Sequence, residues 1–297
     1  MTRGYPLSVG NDRVLPPEYS GPAFVWDIDK TYLSTALSSW RGLARVPVEF
    51  AIDKRAIPGM PEVLRGLRRG PGESFECRPL YFISASPPFL RATIEGKMLL
   101  DGVEHDGITF KDWWRTLMEL RPGRLFEQLG FKTAALLRGR LDRPQCREYL
   151  FGDDYEKDAE AYALYARWLH GDLKSDDLDT VLASGGVAED DRKAILMLAE
   201  RMPEPHGRVG KIFIHLEKKS SPQAFKKFGT DLVAVKGALQ LALALFQEGL
   251  VDVACVRAAR EAVTAAPRYR YGNCEELSLD ALKRKLVSRE KWRQLKL

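Results

Sequence analysis

Long apolar segments are absent from the sequence. No uninterrupted apolar run approaches the roughly 20 residues that a membrane-spanning helix requires. The N-terminal stretch MTRGYPLSVGNDR also lacks the apolar core of a secretory signal. We therefore expect a soluble, cytoplasmic protein that has no transmembrane segment.

Cysteine and histidine are scarce, since the chain has only four of each. The cysteines lie far apart in sequence and form no CxxC motif, which argues against a structural zinc site and against a disulfide scaffold. This pattern is typical of a reducing compartment. The histidines show no metal-ligand spacing, and we assign no function to His105, His170, His206 or His215.

Neither sign of charge dominates the sequence. It contains 46 Lys and Arg against 41 Asp and Glu, and the basic residues are scattered rather than clustered. The formal net charge of +5 predicts no nucleic-acid partner, although it is compatible with an anionic substrate. With 297 residues, of which 45% are hydrophobic, the chain can bury the core of one large domain or two modest ones.

Three short apolar runs each end at a polar cluster. They cover residues 24–26, 79–83 and 148–151, and they are followed by DIDKT, SASPP and GDD. Helical periodicity separates the runs, in IPGMPEVLRGLRRG and in residues 112–121, 124–138 and 156–169. Strands that alternate with helices predict an α/β fold with a doubly wound parallel sheet. In such sheets ligands bind at the carboxyl ends of the strands.

The sequence divides into three predicted parts. Residues 1–20 form an irregular N-terminal arm, and residues 21–171 form the core that carries the polar clusters. Residues 172–297 form a mostly helical region, in which residues 211–235 are candidates for further strands of the core sheet. Within this region we predict helices over 172–205 and 236–264, a strand over 211–219, and one basic helix over 278–297.

Asp27 and Asp29 pose the central question of the sequence. They follow the first apolar run, and strand alternation turns both toward the same side while Ile28 points into the core. Two like charges in that position are costly unless a cation or a reaction needs them. A nucleophilic carboxylate can accept a phosphoryl group, and a second carboxyl can serve as acid and base, so we assign these roles to Asp27 and Asp29 respectively.

The other polar clusters supply what such a reaction needs. Ser84 can donate a hydrogen bond to a phosphoryl oxygen, and Lys132 in LGFKTAALL can neutralise the oxygens and the nucleophile. Lys111 in ITFKDWW is an alternative for this lysine. Asp153 and Asp158 in GDDYEKD complete an acidic cluster with Asp27, and its hard oxygen ligands suit Mg²⁺.

These segments resemble a known superfamily in their order and spacing. FVWDIDKT, YFISASP, Lys132 and FGDDYEKD are similar to the four motifs of the haloacid dehalogenase (HAD) phosphohydrolases. The SxSP and GDxxxxD forms, followed by AEAY, look most like the catalytic domain of App1-type phosphatidate phosphatases, over about residues 20 to 170. Position 30 is Lys where App1-like sequences usually have Asp, so the resemblance does not extend to lipid specificity.

The resemblance implies a role for each motif residue. It makes Asp27 the nucleophile and Asp29 both the acid/base and a magnesium ligand through its main-chain carbonyl. It also makes Asp153 a magnesium ligand and Asp158 an orienting partner. With the motifs aligned in this way, we assign substrate binding to Thr31, Ser84, Ala85 and Lys132, and a supporting role to Asp154.

The sequence predicts an open site. Thr31 and Pro58 are only about 26 residues apart, too few for a large helical cap, and residues 86–131 are taken up by core helices and a connecting loop. We therefore expect a magnesium-dependent phosphatase that uses an aspartyl-phosphate, with a bulky or lipid phosphoester as one option. Two alternatives stay open, a catalytically silent phosphate- or metal-binding module and a phosphotransferase to an acceptor other than water. The substrate and the oligomeric state do not follow from the sequence.

Overall fold

A computed structural model of the chain describes residues 4–34, 55–118, 124, 125, 127–202 and 207–296. Its centre is a seven-stranded sheet in the order β1-β4-β3-β2-β5-β6-β7. β1 pairs antiparallel with β4, and all other neighbouring strands are parallel. Helices cover both faces, which confirms the predicted doubly wound α/β fold.

The strands are β1 (Leu7–Asn11), β2 (Pro22–Asp27), β3 (Leu80–Ser84), β4 (Gly107–Lys111), β5 (Arg147–Asp153), β6 (Val209–His215) and β7 (Leu232–Val235). The α-helices of the described residues are α1 (Met60–Arg69), α2 (Arg91–Leu100), α3 (Trp113–Met118), α4 (Leu129–Asp142), α5 (Asp158–Leu169), α6 (Ser175–Ser184), α7 (Glu189–Glu200), α8 (Gly237–Gln247), α9 (Val253–Thr264), α10 (Cys274–Lys283) and α11 (Arg289–Leu295). Short 3₁₀ helices lie at Pro88–Leu90 and Pro222–Phe228. None of the helices in this part of the chain is long and apolar enough to cross a membrane.

Strand β2 lies at the middle of the sheet because its side chains are apolar on both faces. Phe24 and Trp26 pack into the core on the side of α1, α2, α8 and α9, whereas Val25 packs on the side of α4 to α7. Trp26 also stacks on Phe151 of β5, with ring centroids 4.2 Å apart. An apolar strand between two parallel neighbours brings the following polar residues to the carboxyl edge of the sheet.

Two strands differ from the sequence-based expectation. The N-terminal arm is not irregular throughout, since β1 forms there and pairs with β4. β4 itself lies in the segment that we expected to hold only helices and a loop. Both strands have five residues, too short for a clear periodic pattern, and β1 is an edge strand that depends on pairing with β4.

The sheet continues beyond the predicted core. β6 and β7 extend it on the side of β5, so the carboxyl ends of β5, β6 and β7 are neighbours. The last predicted helix is in fact two, α10 and α11. The break follows from Lys285, which has a left-handed φ of 60°, and from Ser288, whose Oγ accepts a hydrogen bond from the Lys291 amide at 3.1 Å.

Helix α4 begins at Leu129, later than predicted. The Glu127 carboxylate accepts hydrogen bonds from the amides of Gly130 (2.7 Å) and Phe131 (3.3 Å), and it thereby satisfies the first turn. Most of the segment in which a cap was considered, residues 35–54, lies outside the described residues. The expectation of an uncapped site therefore stays a prediction.

Candidate active site

The carboxyl end of β2 places the two central aspartates. Asp27 is the last residue of the strand and is 1% exposed, and Asp29 follows it at 8%. Ile28 between them is buried in the same core cluster as Trp26, so the two carboxylates lie on the side away from that cluster. The Thr31 hydroxyl donates a hydrogen bond to Asp27 Oδ2 at 3.2 Å.

Helix α4 brings Lys132 to the end of β2. The side chain is fully buried, and its Nζ contacts Asp27 Oδ1, Asp158 Oδ1 at 2.5 Å and Glu156 Oε2 at 2.9 Å. Burial lowers the pKa of Lys132, but the three carboxylates outweigh it and raise the pKa well above its ordinary value. The three carboxylates therefore favour the charged form of Lys132.

The carboxylates of the cluster carry more charge than Lys132 can balance. Burial raises the pKa of Asp27 well above its usual range, against the effect of Lys132, and the neighbouring carboxylates add to the rise. The pKa of Asp158 is raised to about 6, again chiefly by burial. Three carboxylates around one ammonium leave an excess of negative charge in a buried place, which a second cation would relieve.

The end of β3 orients Asp29. Ser86 donates its hydroxyl to Asp29 Oδ2 at 2.8 Å, and Ser84 Oγ lies 3.4 Å from the same oxygen. The Ser86 amide in turn donates to Ser84 Oγ at 3.1 Å. The carbonyl of Ala85 accepts a hydrogen bond from Trp113 Nε1 at 2.8 Å, which ties α3 to this loop.

The loop between β5 and α5 supplies the remaining acidic groups. Asp153 Oδ1 accepts hydrogen bonds from the amides of Tyr155 (2.5 Å) and Glu156 (3.0 Å), while Asp158 Oδ2 accepts one from the Asp153 amide at 3.0 Å. Gly152 is required here, because a Cβ at that position would overlap the Asp158 side chain. Asp153 Oδ2 is buried and has no hydrogen-bond partner among the described residues.

An acidic cluster at the site could hold a metal ion. Oxygens of Asp27, Glu156 and Asp158 lie within 4.8 Å of one another. Lys132 Nζ contacts all three side chains, so this cluster already contains one cation. Asp153 Oδ2, which is buried and has no hydrogen-bond partner among the described residues, is the oxygen that most needs a second cation.

The sequence of the chain matches a known protein family. The family model for the catalytic domain of the phosphatidate phosphatase APP1 matches residues 23–174, just over half of the chain. The chain belongs to this family. Membership confirms the resemblance seen in the motifs, and it implies a phosphatase, a hydrolase of phosphoric monoesters that acts on a phosphorylated substrate. No curated protein and no solved structure matches the chain.

The two candidate lysines of the family motif lie in different surroundings. Lys132 contacts Asp27, whereas Lys111 Nζ donates hydrogen bonds to the carbonyl oxygens of Arg124 and Glu127, both at 2.5 Å. Burial lowers the pKa of Lys111 to about 8. Lys111 thus binds the main chain that leads into α4, and Lys132 is the lysine that the structure brings to the aspartates.

Sequence reasoning missed three contributors. Ser86 is a fixed position of the SxSP pattern, but we assigned it no role, and Glu156 occupies a variable position of the GDxxxxD pattern. His215 had no sequence signal, because it lies outside the matched range and meets the first motif only through the fold. Its Nδ1 lies 3.0 Å from the carbonyl oxygen of Lys30.

Asp154, for which we predicted a supporting role, does not point at the cluster. Its two carboxylate oxygens accept hydrogen bonds from the amides of Lys218 (2.7 Å) and Ser220 (3.2 Å). The family domain is thereby joined to the loop after β6. The catalytic and substrate-binding roles that we assigned to Asp27, Asp29, Thr31, Ser84, Ala85, Lys132, Asp153 and Asp158 stay predictions.

Proposed function

We propose that the protein is a magnesium-dependent phosphatase that hydrolyses a phosphomonoester through an aspartyl-phosphate on Asp27, by HAD-type chemistry. One observation carries this proposal. Asp27 lies at the end of β2 against the buried ammonium of Lys132, and Asp29, two residues on, is held by the hydroxyl of Ser86. A silent binding module would need the cations of the site but not a second carboxyl placed for proton transfer.

In the first step, Asp27 attacks the phosphorus of the substrate. A bond forms between the carboxylate oxygen and phosphorus, and the ester P–O bond breaks. The leaving alcohol takes a proton from the Asp29 carboxyl, which the hydroxyl groups of Ser84 and Ser86 orient. Lys132 balances negative charge on Asp27 and on the phosphoryl oxygens as the reaction proceeds.

In the second step, Asp29 acts as the base. It removes a proton from water as the water oxygen attacks phosphorus, and the P–O bond to Asp27 breaks. The products are inorganic phosphate and the regenerated Asp27 carboxylate. Thr31, which donates to Asp27 Oδ2, holds the nucleophile in the same position through both steps.

The acidic groups suit a magnesium ion. Its preferred ligands are oxygens, and Asp27, Asp153 and the main-chain carbonyl of Asp29 would hold it. The buried and unpartnered Asp153 Oδ2 supports this choice, as does the excess of carboxylates over the single ammonium of Lys132. A bound magnesium ion neutralises charge on the phosphoryl oxygens.

Phosphatidate is the first substrate to test, because the family is named for a phosphatidate phosphatase. The decisive experiment measures phosphate release from an aryl phosphate, from phosphatidate in detergent micelles, and from soluble sugar phosphates. Each substrate is assayed with magnesium and with a chelator, in wild type and in Asp27→Asn. Magnesium-dependent release that Asp27→Asn abolishes supports the proposal, whereas release from none of these substrates, or equal release by the variant, contradicts it.

A further inference from the structure

The mouth of the site carries two lysines that form no ion pair within the described part of the chain. Lys30 directly follows Asp29, and its Nζ lies 3.4 Å from the ring centroid of Tyr155. Lys218 approaches the same ring, with its Nζ at 5.2 Å from the centroid. Tyr155 follows Asp153 by two residues and is 42% exposed. We call Lys30 and Lys218, gathered around Tyr155, the lysine rim.

The backbone holds Lys30 in a conformation that a lysine rarely adopts. Its φ is 62°, in the left-handed region. The Lys30 amide donates to the carbonyl oxygen of Leu33 at 2.7 Å, and the Lys30 carbonyl accepts a hydrogen bond from His215 Nδ1 at 3.0 Å. Such strain persists only where the surroundings enforce it, and it is concentrated at functional sites. The main chain of Lys30 is therefore held in place, and from it the side chain reaches the Tyr155 ring.

A separate set of contacts holds the main chain at Lys218. Its amide is bound by Asp154 Oδ1, and the other carboxylate oxygen of Asp154 binds the amide of Ser220. The next residue, Lys219, also has a left-handed φ, of 64°, and it lines a cavity of about 240 Å³ together with Lys236 and Arg270. Acidic Glu276 and Asp280 line the same cavity, and Asp280 pairs with Lys236 at 3.3 Å, so the charge of this cavity is mixed.

These positions define a subsite beside the acidic cluster. β2, β5 and β6 are neighbours in the sheet, and neighbouring strands lie about 4.8 Å apart, so the loops after these strands open onto one mouth. An aromatic ring with two ammonium groups attracts an anion only through the ammonium groups, since its face is itself negative. Each Nζ lies within 5.2 Å of the Tyr155 ring centroid, and two cations beside one ring are suited to one phosphate or carboxylate group.

We infer that the lysine rim binds a second anionic group of the substrate, so that the preferred substrate is a phosphomonoester that carries another phosphate or carboxylate. This inference rests on the proposed function, because it names the class of substrate for the same site. An anionic membrane surface is a different candidate partner. The rim fits it less well, because recognition of such surfaces uses clusters of about four to eight basic residues and the rim has two.

The test compares butane-1,4-diol monophosphate with butane-1,4-diol bisphosphate. Dissociation constants are measured by calorimetry in magnesium buffer on Asp27→Asn protein, which we expect not to consume the ligands. We expect the bisphosphate to bind about tenfold more tightly, well beyond the twofold statistical advantage of two equivalent phosphates. Lys218→Met and Lys30→Met should each bring the affinity ratio close to that twofold value.

Lys157→Met is the matched control. Lys157 lies in the same loop as Tyr155, but it pairs with Glu160 at 3.5 Å and is 59% exposed. Its replacement removes the same charge and should leave the ratio unchanged. The inference is wrong if the affinity ratio is near two in the Asp27→Asn protein with both rim lysines intact. It is also wrong if Lys157→Met lowers this ratio as much as the rim variants do. Rim variants that lose binding only to phosphatidylserine vesicles would likewise overturn it.

Turnover of the same two ligands by wild type tests the proposed function separately. If neither releases phosphate, the proposed function is wrong for soluble substrates, while calorimetry still decides whether the rim binds the second anion. If both are hydrolysed, kcat/KM for the bisphosphate should exceed that for the monophosphate by the same factor of about ten. If Lys218→Met leaves this ratio of kcat/KM values unchanged, the inference is wrong and the proposed function is unaffected.

Discussion

His215 Nδ1 lies 3.0 Å from the main-chain oxygen of Lys30, and this contact joins the last residue of β6 to the loop that carries Asp29. Burial lowers the pKa of His215 and so favours the neutral ring, in which the carbonyl partner requires the proton on Nδ1. Nε2 is then an acceptor, and the Tyr269 hydroxyl lies 3.4 Å from it. A segment beyond the family match thus contacts the loop that carries Asp29.

The first prediction follows from this contact. His215→Asn keeps a donor near the position of Nδ1 and should retain most of the activity, whereas His215→Gln places its amide near Nε2 and should lose about tenfold in kcat/KM. Both variants remove the same ring from the core, so they should lose similar thermal stability. Kinetics on an aryl phosphate and melting temperatures, measured for both variants, separate the effect on activity from the effect on stability. Equal activity in both variants would show that the ring only fills space.

The sequence predicted the motif residues better than it predicted their surroundings. Asp27, Ser84 and Asp153 each follow an apolar run, and local pattern alone places such residues at strand ends. Parallel pairing of β2, β3 and β5 then brings them to one edge of the sheet. The family match over residues 23–174 includes all three residues.

Contacts made across the fold could not be predicted in the same way. β1 forms only because β4 offers an edge, and its own five residues are partly exposed. The bond between His215 and Lys30 spans 185 residues, and the pattern around His215 resembles any buried strand. Long-range pairings of this kind depend on packing of the whole chain, so they leave no trace in a short window of sequence.

The second prediction concerns the two lysines. Lys132→Met removes the only ammonium within the Asp27, Glu156 and Asp158 cluster of the described residues, and it should lower kcat by about 10²- to 10³-fold, as loss of one such electrostatic contact does. Lys111→Met leaves two carbonyl oxygens unbound and should lower the melting temperature with kcat retained. Steady-state kinetics and thermal melts on both variants decide the assignment. The reverse pattern would make Lys111 the motif lysine.

The third prediction tests the metal without using activity. Magnesium that binds only the native state raises the melting temperature of wild type. Asp153→Asn should weaken metal affinity by at least about 10- to 100-fold, since even partners of metal ligands have effects of that size. The magnesium-induced rise in melting temperature should therefore disappear. Glu160→Gln, which removes an equal charge from the exposed side of α5, should keep the rise. A rise that survives in Asp153→Asn would exclude this residue as a ligand.

The fourth prediction concerns a buried ion network away from the site. Glu148 accepts hydrogen bonds from Arg140 and Arg143, both at 2.6 Å, and from Tyr165 at 2.5 Å. Burial alone would raise the pKa of Glu148, but the two guanidinium groups outweigh it and lower the pKa below its ordinary value of 4.5. Between the pKa of Glu148 in the folded protein and about pH 4.5, the unfolded chain therefore binds more protons than the folded one. The contribution of Glu148 to folding stability is complete above about pH 4.5, and it is lost as the pH falls through the folded pKa.

Glu148→Gln should therefore lower the free energy of unfolding at pH 7 by about 3–5 kcal/mol, because it leaves two buried guanidinium groups without a counter-charge. The difference from wild type should shrink as the pH is lowered from 5 to 3. Urea denaturation at several pH values measures it. Glu189→Gln is the control, since Glu189 pairs with Lys193 on the exposed surface and its loss should have little effect at any pH. If the difference in free energy of unfolding between wild type and Glu148→Gln does not change with pH, the stabilisation does not come from the ionised Glu148 carboxylate.

The fifth prediction separates the two aspartates that the structure places on one side of β2. Asp27→Asn removes the nucleophile, so no phosphoenzyme should form and every substrate should react at the background rate. Asp29→Asn keeps the nucleophile but removes the proton donor held by Ser86. Its loss should be severe for alkyl phosphates and milder for nitrophenyl phosphate, because nitrophenolate leaves without protonation. Single-turnover kinetics on both esters with acid-quench trapping measures this difference. Phosphoenzyme trapped in Asp27→Asn, or equal losses on both esters in Asp29→Asn, would refute the division of roles.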